Sequence, residues 1–230
     1  MQKDAVNEYP RAAIDRLVGA IPFYKQLQQS DGGQYELLLQ HSRVMTYGPG
    51  EVVLEQGDAG HWLCFLLKGQ LQVLAGEPRQ EVNQITPGEV FGDLAMLLKQ
   101  ARTATVVADS LSREAVVFCT DFSLFGELED FSRVTLATKL IYFRNLVHSL
   151  RWKLEVYRSK YASHPLANRH RSVKLYLGSK DTLEELAGMH EQAAQLARLL
   201  VEWNQEFGYL SVSQTPAPSP QVLAALGRAG

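Results

Sequence analysis

The sequence predicts an α+β fold: an antiparallel β-barrel or jelly roll flanked by helices, followed by a long helix and a helical extension. Short apolar runs between residues 41 and 130 alternate with glycine-containing turns, a pattern typical of antiparallel barrels and sandwiches. Residues 136–161 place apolar side chains at alternating steps of four and three, which predicts a long helix. The composition, with 46% hydrophobic and 21% charged residues, is that of a globular chain.

These patterns divide the 230 residues into four segments. Residues 1–40 contain apolar side chains at helical spacing and are expected to form N-terminal helices. Residues 41–130 are expected to form the β-barrel, and residues 131–161 the long helix. Residues 162–230 are expected to form a C-terminal helical extension, whose last part is rich in Pro and Ser and predicts a flexible tail.

The barrel strands are predicted from runs of β-branched, aromatic and aliphatic residues with turn residues on both sides. In the run from 62 to 67, Leu63, Phe65 and Leu67 would face one side of a sheet and the alternate residues the other. The predicted strands lie near residues 44–47, 51–55, 62–67, 71–76, 82–85, 103–108 and 114–119.

The long helix carries an apolar seam with the average period of 3.5 residues found in paired helices. Such a seam packs beside another helix, either that of a second copy of the chain or one of its own domain. Because the seam is long, we expect a two-fold homodimer through the helix from Leu136 to Tyr161. The seam residues are Leu136, Leu140, Phe143, Val147, Leu150, Leu154, Tyr157 and Tyr161.

Several classes of protein are disfavoured by the sequence. No run of about 18 apolar residues is present, so no membrane-spanning helix is expected, and the N-terminus does not have the pattern of a signal peptide. With only two cysteines, we expect no disulfide framework, a core role for Cys64 and a reducing cytoplasmic location. Motifs of hydrolases, NTPases and zinc proteases are missing and the histidines lack metal-ligand spacing, so we expect neither an enzyme nor a metal site.

Charge is distributed unevenly along the chain. The net charge is −8 for residues 1–130, +10 for residues 131–180 and −4 for residues 181–230. The basic segment is either a surface for an acidic partner or a face that matches acids of its own molecule. If nucleic acid binds, the candidate residues are Arg144, Arg151, Lys153, Arg158, Arg169 and Arg171.

The segment from Phe91 to Val106 carries the most chemical information. Gly92 would end a strand and let the backbone approach a ligand, and the next residues would begin a short helix whose free amides favour an anion. Asp93 offers an acceptor for hydroxyl groups. Arg102 offers a planar donor for phosphate oxygens, with the hydroxyl of Thr103 beside it. These residues predict a sugar-phosphate pocket; the alternative is a helix cap and a surface arginine.

This segment and its surroundings resemble the cyclic nucleotide-binding domain of bacterial catabolite activator proteins and protein kinase A regulatory subunits. The resemblance covers about residues 21–160, where Ile21-Pro22-Phe23, Pro49-Gly50-Glu51, Gln56-Gly57-Asp58 and Gly69 stand in the family's order. Phe-Gly-Asp-Leu-Ala-Met, followed by Ala-Arg-Thr-Ala-Thr, is similar to the family's phosphate-binding cassette. The resemblance implies a site for cAMP or cGMP, with no further cofactor, formed by Phe91, Gly92, Asp93, Leu94, Ala95, Arg102, Thr103 and Ala104.

The resemblance also implies a role for individual residues. Arg102 matches the arginine that pairs with the cyclic phosphate. Asp93 stands where the family has Glu, which accepts the ribose 2′-hydroxyl; its shorter side chain predicts a stretched or water-bridged contact. Thr103 does not decide between cAMP and cGMP. The family caps the base with the helix after the barrel, for which the candidate residues here are Val134, Ala137, Lys139 and Ile141.

Residues 183–210 lie where catabolite activators carry a winged helix-turn-helix. His190-Glu191-Gln192 occupies the place of the expected turn glycine, and residues 181–210 hold six acids against Arg198 alone. We therefore expect a helical extension that does not read DNA, with a degenerate helix-turn-helix of a transcription regulator as the alternative. The expected function is a cytoplasmic cAMP or cGMP sensor, in which ligand binding shifts a hinge near residues 129–131 and repositions the dimer helix to control an unidentified protein partner.

Overall fold

The computed structural model describes residues 2–6, 10–76 and 78–213. The tail expected to be flexible, from residue 214 onward, lies outside these residues. Helical spacing near the N-terminus is confirmed, and Asp31 caps the third helix by accepting a hydrogen bond from the Gln34 amide at 3.0 Å. The three N-terminal helices are α1 (Arg11–Val18), α2 (Pro22–Ser30) and α3 (Gly32–Gln40).

Two antiparallel sheets form the centre of the molecule, in the strand orders β1-β2-β9-β4-β7 and β3-β8-β5-β6. This confirms the α+β fold with an antiparallel sandwich between flanking helices. The sequence did not predict β1, which pairs with β2. The strands are β1 (Gln2–Ala5), β2 (Ser42–Tyr47), β3 (Val52–Leu54), β4 (Trp62–Lys68), β5 (Leu71–Ala75), β6 (Gln80–Ile85), β7 (Val90–Phe91), β8 (Thr105–Ala108) and β9 (Ala115–Asp121).

Strand β4 separates two apolar cores. Leu63 and Phe65 are buried on the side of the helices. Cys64 and Leu66 are buried between the two sheets. The alternation predicted from the sequence is therefore confirmed, because successive side chains of a strand point to opposite faces.

The two cysteines form a disulfide, which the expectation of no disulfide framework did not include. Cys64 in β4 is bonded to Cys119, its direct partner in β9. Both residues are fully buried, as the core role expected for Cys64 requires. The pairing was not predicted because the cysteines are 55 residues apart and only the sheet register brings them opposite each other.

Two long helices follow the sheets: α5 (Leu136–Lys160) and α6 (Leu183–Ser213). Helix α5 begins at an N-cap in which the Thr135 side chain accepts a hydrogen bond from the Thr138 amide. Its neighbours are chiefly α6 and α2. Six of the eight seam residues, namely Leu140, Phe143, Val147, Leu150, Leu154 and Tyr157, are buried within the single chain.

The seam therefore packs inside its own molecule, which was the alternative interpretation of the heptad pattern. Because the seam is buried by its own chain, it offers no free apolar face to the α5 helix of a second copy. The homodimer stays a prediction, and a second copy would have to bind another face of the molecule.

The basic segment is largely matched by acids of the same chain. Arg144 on α5 donates from Nε to Glu185 on α6 at 2.8 Å and forms a second ion pair with Asp181. Arg169, in the connector between α5 and α6 (residues 161–182), pairs with Glu202 on α6. These contacts support internal matching over a basic surface for nucleic acid.

The other candidates for nucleic-acid binding also have partners inside the chain. Arg158 and Arg171 both bind Glu155. Arg151 donates to the carbonyl groups of His170 and Val173 in the connector. Lys153 donates to a carbonyl of the sheet, which is described with the site below.

Helix α6 is continuous through residues 183–210, where catabolite activators carry a helix-turn-helix. His190, Glu191 and Gln192 are helical, so no turn separates two helices there. The alternative of a degenerate helix-turn-helix in residues 183–210 is therefore wrong, because that module needs two helices at an angle.

Candidate functional site

A tight turn at Gly92 leads from the sheet into a short helix. Phe91 ends β7, and Gly92 has a φ of 82°, in the left-handed region that glycine tolerates without a steric penalty. Asp93 is the first residue of α4 (Asp93–Leu97). The predicted change from strand to helix at Gly92 is confirmed.

Arg102 reaches this turn from the loop between α4 and β8. Arg102 is 8% exposed to solvent. The guanidinium lies against two glycines: a Cβ added at Gly60 would lie 2.7 Å from Arg102 Cζ, and one added at Gly92 would lie 3.1 Å from Nη1. The two glycines thus leave the space that the guanidinium fills.

The backbone around Arg102 is fixed by the loop that contains Gly60. The Arg102 amide donates to the Asp58 carbonyl at 3.0 Å, and the Gly57 amide donates to the Arg102 carbonyl at 2.9 Å. Among the side chains that the structure describes, those of residues 6, 10–76 and 78–206, none forms an ion pair or hydrogen bond with the guanidinium. Burial lowers the pKa of Arg102, and the charge of Asp58 partly opposes that shift. A buried, unpaired guanidinium is a group in need of an anion.

Asp93 is the second charged residue of the site, and it is 2% exposed. Its Oδ2 atom is buried without a hydrogen-bond partner. The ammonium group of Lys153, on α5, lies 3.9 Å from that oxygen. An acceptor oxygen left open in this way can accept a hydrogen bond from a hydroxyl group of a ligand.

One cavity of about 100 Å³ brings the predicted site residues together. All eight line it, so the geometry matches the constellation expected from the cassette. Leu54, Val73 and Ile85 add an apolar wall from three strands. The residues predicted from the cassette that line the cavity are Phe91, Gly92, Asp93, Leu94, Ala95, Arg102, Thr103 and Ala104.

The helices contribute residues that the sequence did not predict. Lys153 and Tyr157 of α5 and Leu200 and Asn204 of α6 line the cavity. No local motif marks these four positions, because two helices far along the chain place them there.

The four candidates for contact with the base do not line this cavity. Lys139 instead donates from Nζ to the carbonyl groups of Glu127, Leu128 and Asp130 at 2.6, 3.1 and 2.7 Å. It thereby ties the start of α5 to the segment that follows the sheet. The candidates outside the cavity are Val134, Ala137, Lys139 and Ile141.

The described part of the chain holds neither a metal-binding cluster nor a helix suited to a membrane. No cluster of three or more His, Cys, Asp or Glu side chains there could bind a metal ion. None of the helices described combines the length and the apolar character needed to span a bilayer.

Residues 44–127 match the sequence profile of the cyclic nucleotide-binding domain. This part of the chain belongs to that family, and the family expected from the cassette is confirmed. The match contains the Gly60 loop, α4 and Arg102, but it does not include α5 and α6, which also line the cavity.

Two protein-kinase relatives resemble the chain. It is 27% identical over 142 residues to a cGMP-dependent protein kinase of Toxoplasma gondii, a match that covers 62% of this chain and 13% of the kinase. It is 31% identical over 93 residues to a cAMP-dependent protein kinase regulatory subunit of Colletotrichum orbiculare, covering 40% of this chain and 24% of that protein. The chain thus matches less than a quarter of either relative, and the match does not cover a kinase domain.

A solved cyclic nucleotide-binding domain from Methylobacillus flagellatus is similar to the chain at 18% identity. The TM-score is 0.49, and the alignment covers 73% of this chain and 88% of that one.

Proposed function

We propose that this chain is a sensor for a cyclic mononucleotide, cAMP or cGMP, with no catalytic step of its own. One observation carries the proposal: among the described residues the buried guanidinium of Arg102 has no partner, and it lies in the same cavity as the open carboxylate oxygen of Asp93. A cation and an acceptor at one end of an apolar cavity fit a ligand that joins a phosphate, a hydroxyl group and a ring.

Each part of such a ligand has a suitable partner. Arg102 would donate two hydrogen bonds to the exocyclic oxygens of the phosphate, with the hydroxyl of Thr103 beside them. Asp93 would accept a hydrogen bond from the ribose 2′-hydroxyl group. The turn at Gly92 would bring backbone close to the phosphate, and the apolar strand residues would lie against the base.

Ligand binding would also move α6. The cavity of about 100 Å³ is well below the range of roughly 300–1,000 Å³ usual for small-molecule sites. Leu200 and Asn204 of α6 form part of its wall, so a nucleotide needs α6 to shift outward or to repack. A helix with two positions is an element whose populations a ligand can bias.

The shift of α6 would be the signal to a protein partner. Lys139 holds residues 127–130 against the first turn of α5. We expect this segment to act as the hinge that transmits the movement caused by ligand binding. A dimer through α5 is not needed for this response, since the seam of α5 is covered by α6.

The composition and the disulfide favour different cellular locations for the protein. The composition favours the cytoplasm, whereas the bond between Cys64 and Cys119 favours an oxidising environment, because disulfides are rare in the cytosol. The binding proposal does not depend on either location.

Isothermal titration calorimetry with cAMP, cGMP and linear 5′-AMP tests the proposal. We expect at least one cyclic nucleotide to bind about tenfold or more tightly than 5′-AMP, because the cavity offers a guanidinium to one compact, singly charged phosphate. Equal binding of all three, or no heat with any of them while the chain is folded, would reject the proposed function.

A further inference from the structure

The buried charge of Asp93 is compensated by a residue from another element. The side chain of Asp93 is 3% exposed, and its Oδ2 atom has no hydrogen-bond partner. In the part of the chain that the structure describes, the cation that forms an ion pair with it is Lys153 of α5. A carboxylate taken out of water needs such a counter-charge or several hydrogen bonds.

A second contact fixes the position of the Lys153 ammonium group. Its Nζ atom donates to the Val90 carbonyl at 2.9 Å. Val90 belongs to β7 and Asp93 opens α4, so Lys153 contacts both arms of the turn at Gly92. One side chain of α5 therefore holds together the strand and the helix that form the floor of the site.

The distance to Asp93 leaves room for a ligand. At 3.9 Å the ammonium attracts the carboxylate, but it is too far from Oδ2 for a hydrogen bond. The oxygen keeps its lone pairs for another donor. A hydroxyl group that binds there gains a charge-assisted hydrogen bond, which is stronger than one to a neutral acceptor.

We propose that Lys153 is a positioning residue for Asp93 and sets how strongly the site prefers a ligand with a free hydroxyl group next to its cyclic phosphate. This inference rests on the proposed function and deepens it. Lys153 compensates the carboxylate and keeps it aimed into the cavity, and although Lys153 also lines the cavity, this role acts through Asp93. Because Lys153 belongs to α5, occupation of the hydroxyl subsite is linked directly to that helix.

The test compares cAMP with 2′-deoxy-cAMP, or the corresponding guanine pair if the wild-type chain binds cGMP more tightly. Dissociation constants are measured by calorimetry for the wild type, Lys153→Met, Lys153→Arg and the control Lys160→Met, which changes an exposed lysine of the same helix. Thermal unfolding of each variant establishes that it is folded.

We expect the wild type to prefer the ribo form by about tenfold or more. Lys153→Met should lower this preference to about threefold or less, mainly by weakening the ribo form. Lys153→Arg should retain most of the preference, and Lys160→Met all of it. Asp93→Asn should give the same low preference, which adding Lys153→Met does not lower further, because both substitutions act on one interaction.

The two proposals fail in different ways. If Lys153→Met weakens both nucleotides equally, or if the wild type does not distinguish them, the inference is overturned while the sensor function stands. If the folded wild type binds no cyclic nucleotide, the proposed function is rejected and this inference is rejected with it.

Discussion

The position of the Arg102 guanidinium depends on the missing side chains of Gly60 and Gly92. Gly92 needs its left-handed φ to begin α4, so a substitution there would strain the backbone as well as the site. Gly60 has no positive φ, and its added Cβ would meet chiefly the end of a flexible side chain. Gly60 therefore offers the cleaner way to move the guanidinium without disturbing the fold.

Gly60→Ala should weaken cyclic nucleotide binding by about tenfold or more, because the methyl group forces the guanidinium away from the phosphate site. Gly32→Ala is the matched control, since a Cβ added there would meet nothing within 4 Å. Calorimetry measures the affinity, and thermal unfolding should show a small change for both variants. Unchanged affinity in Gly60→Ala would mean that the guanidinium is not held in place by this close contact.

At the scale of secondary-structure elements, α5 and α6 act as one unit. Their apolar faces bury most of the heptad seam, and Arg144 pairs with Glu185 across them. Residue Trp203 of α6 is 1% exposed and packs against Tyr157 and Tyr161 of α5 and the connector, at ring-centroid distances of 5.8 and 6.0 Å. The aromatic contact near the end of α5 places the part of α6 that carries Asn204 beside the cavity, and the proposed shift of α6 would have to repack this contact.

Trp203→Ala should destabilise the chain by about 3–5 kcal/mol, because it leaves a large cavity between the two helices. Trp152→Ala removes an indole that is 63% exposed and should change stability by about 0.5 kcal/mol or less. Chemical denaturation of both variants checks the difference. Similar small losses in the two variants would contradict the packing of α6 on α5.

The connector is tied to α5 by Glu155, and this contact predicts a pH dependence. The hydrogen bond from His170, followed by that from Arg158, lowers the pKa of Glu155 to about 2 from 4.5. A carboxylate with a lowered pKa stabilises the fold above its unfolded pKa, and this stability is lost as the pH falls from 4.5 towards 2.

Glu155→Gln should therefore lower the free energy of unfolding by about 0.5–1 kcal/mol at neutral pH; the loss is small because the side chain is partly exposed. It should also flatten the dependence of stability on pH between pH 4.5 and 2. Urea denaturation at a series of pH values measures this. Glu129→Gln, at an exposed position, should leave the profile of the wild type unchanged. If both variants follow the wild-type curve, the Glu155 cluster contributes nothing measurable.

At the scale of the whole molecule, local patterns predicted most of the fold and half of the site. Alternation in β4 and the cassette that begins at Phe91 are local signals, so the strands other than β1 and the eight cassette residues were predicted. The helix that packs on the α5 seam was not predicted, because a heptad pattern indicates that a helix pairs with another helix but not whether that helix belongs to the same chain. Lys153 and Asn204 were missed for the same reason: their place in the cavity depends on how two helices pack on the sheets.

The disulfide between the neighbouring strands β4 and β9 predicts a global effect on stability. It closes a loop of 55 residues, for which the chain-entropy estimate is about 4 kcal/mol. The oxidised protein should therefore unfold at a higher denaturant concentration than the protein reduced with a phosphine. Two reactive thiols in the unfolded, unreduced chain would show that Cys64 and Cys119 are not bonded.

The most direct test of the account is the cAMP and cGMP affinity of Arg102→Met, measured by calorimetry beside Arg113→Met, which changes an exposed arginine. We predict a loss of about 100-fold or more for Arg102→Met, because a charge-assisted, two-pronged phosphate contact disappears. Its thermal midpoint should be unchanged or higher, since the substitution removes an unpaired buried charge. Wild-type affinity in Arg102→Met would contradict the claim that this guanidinium binds the cyclic phosphate.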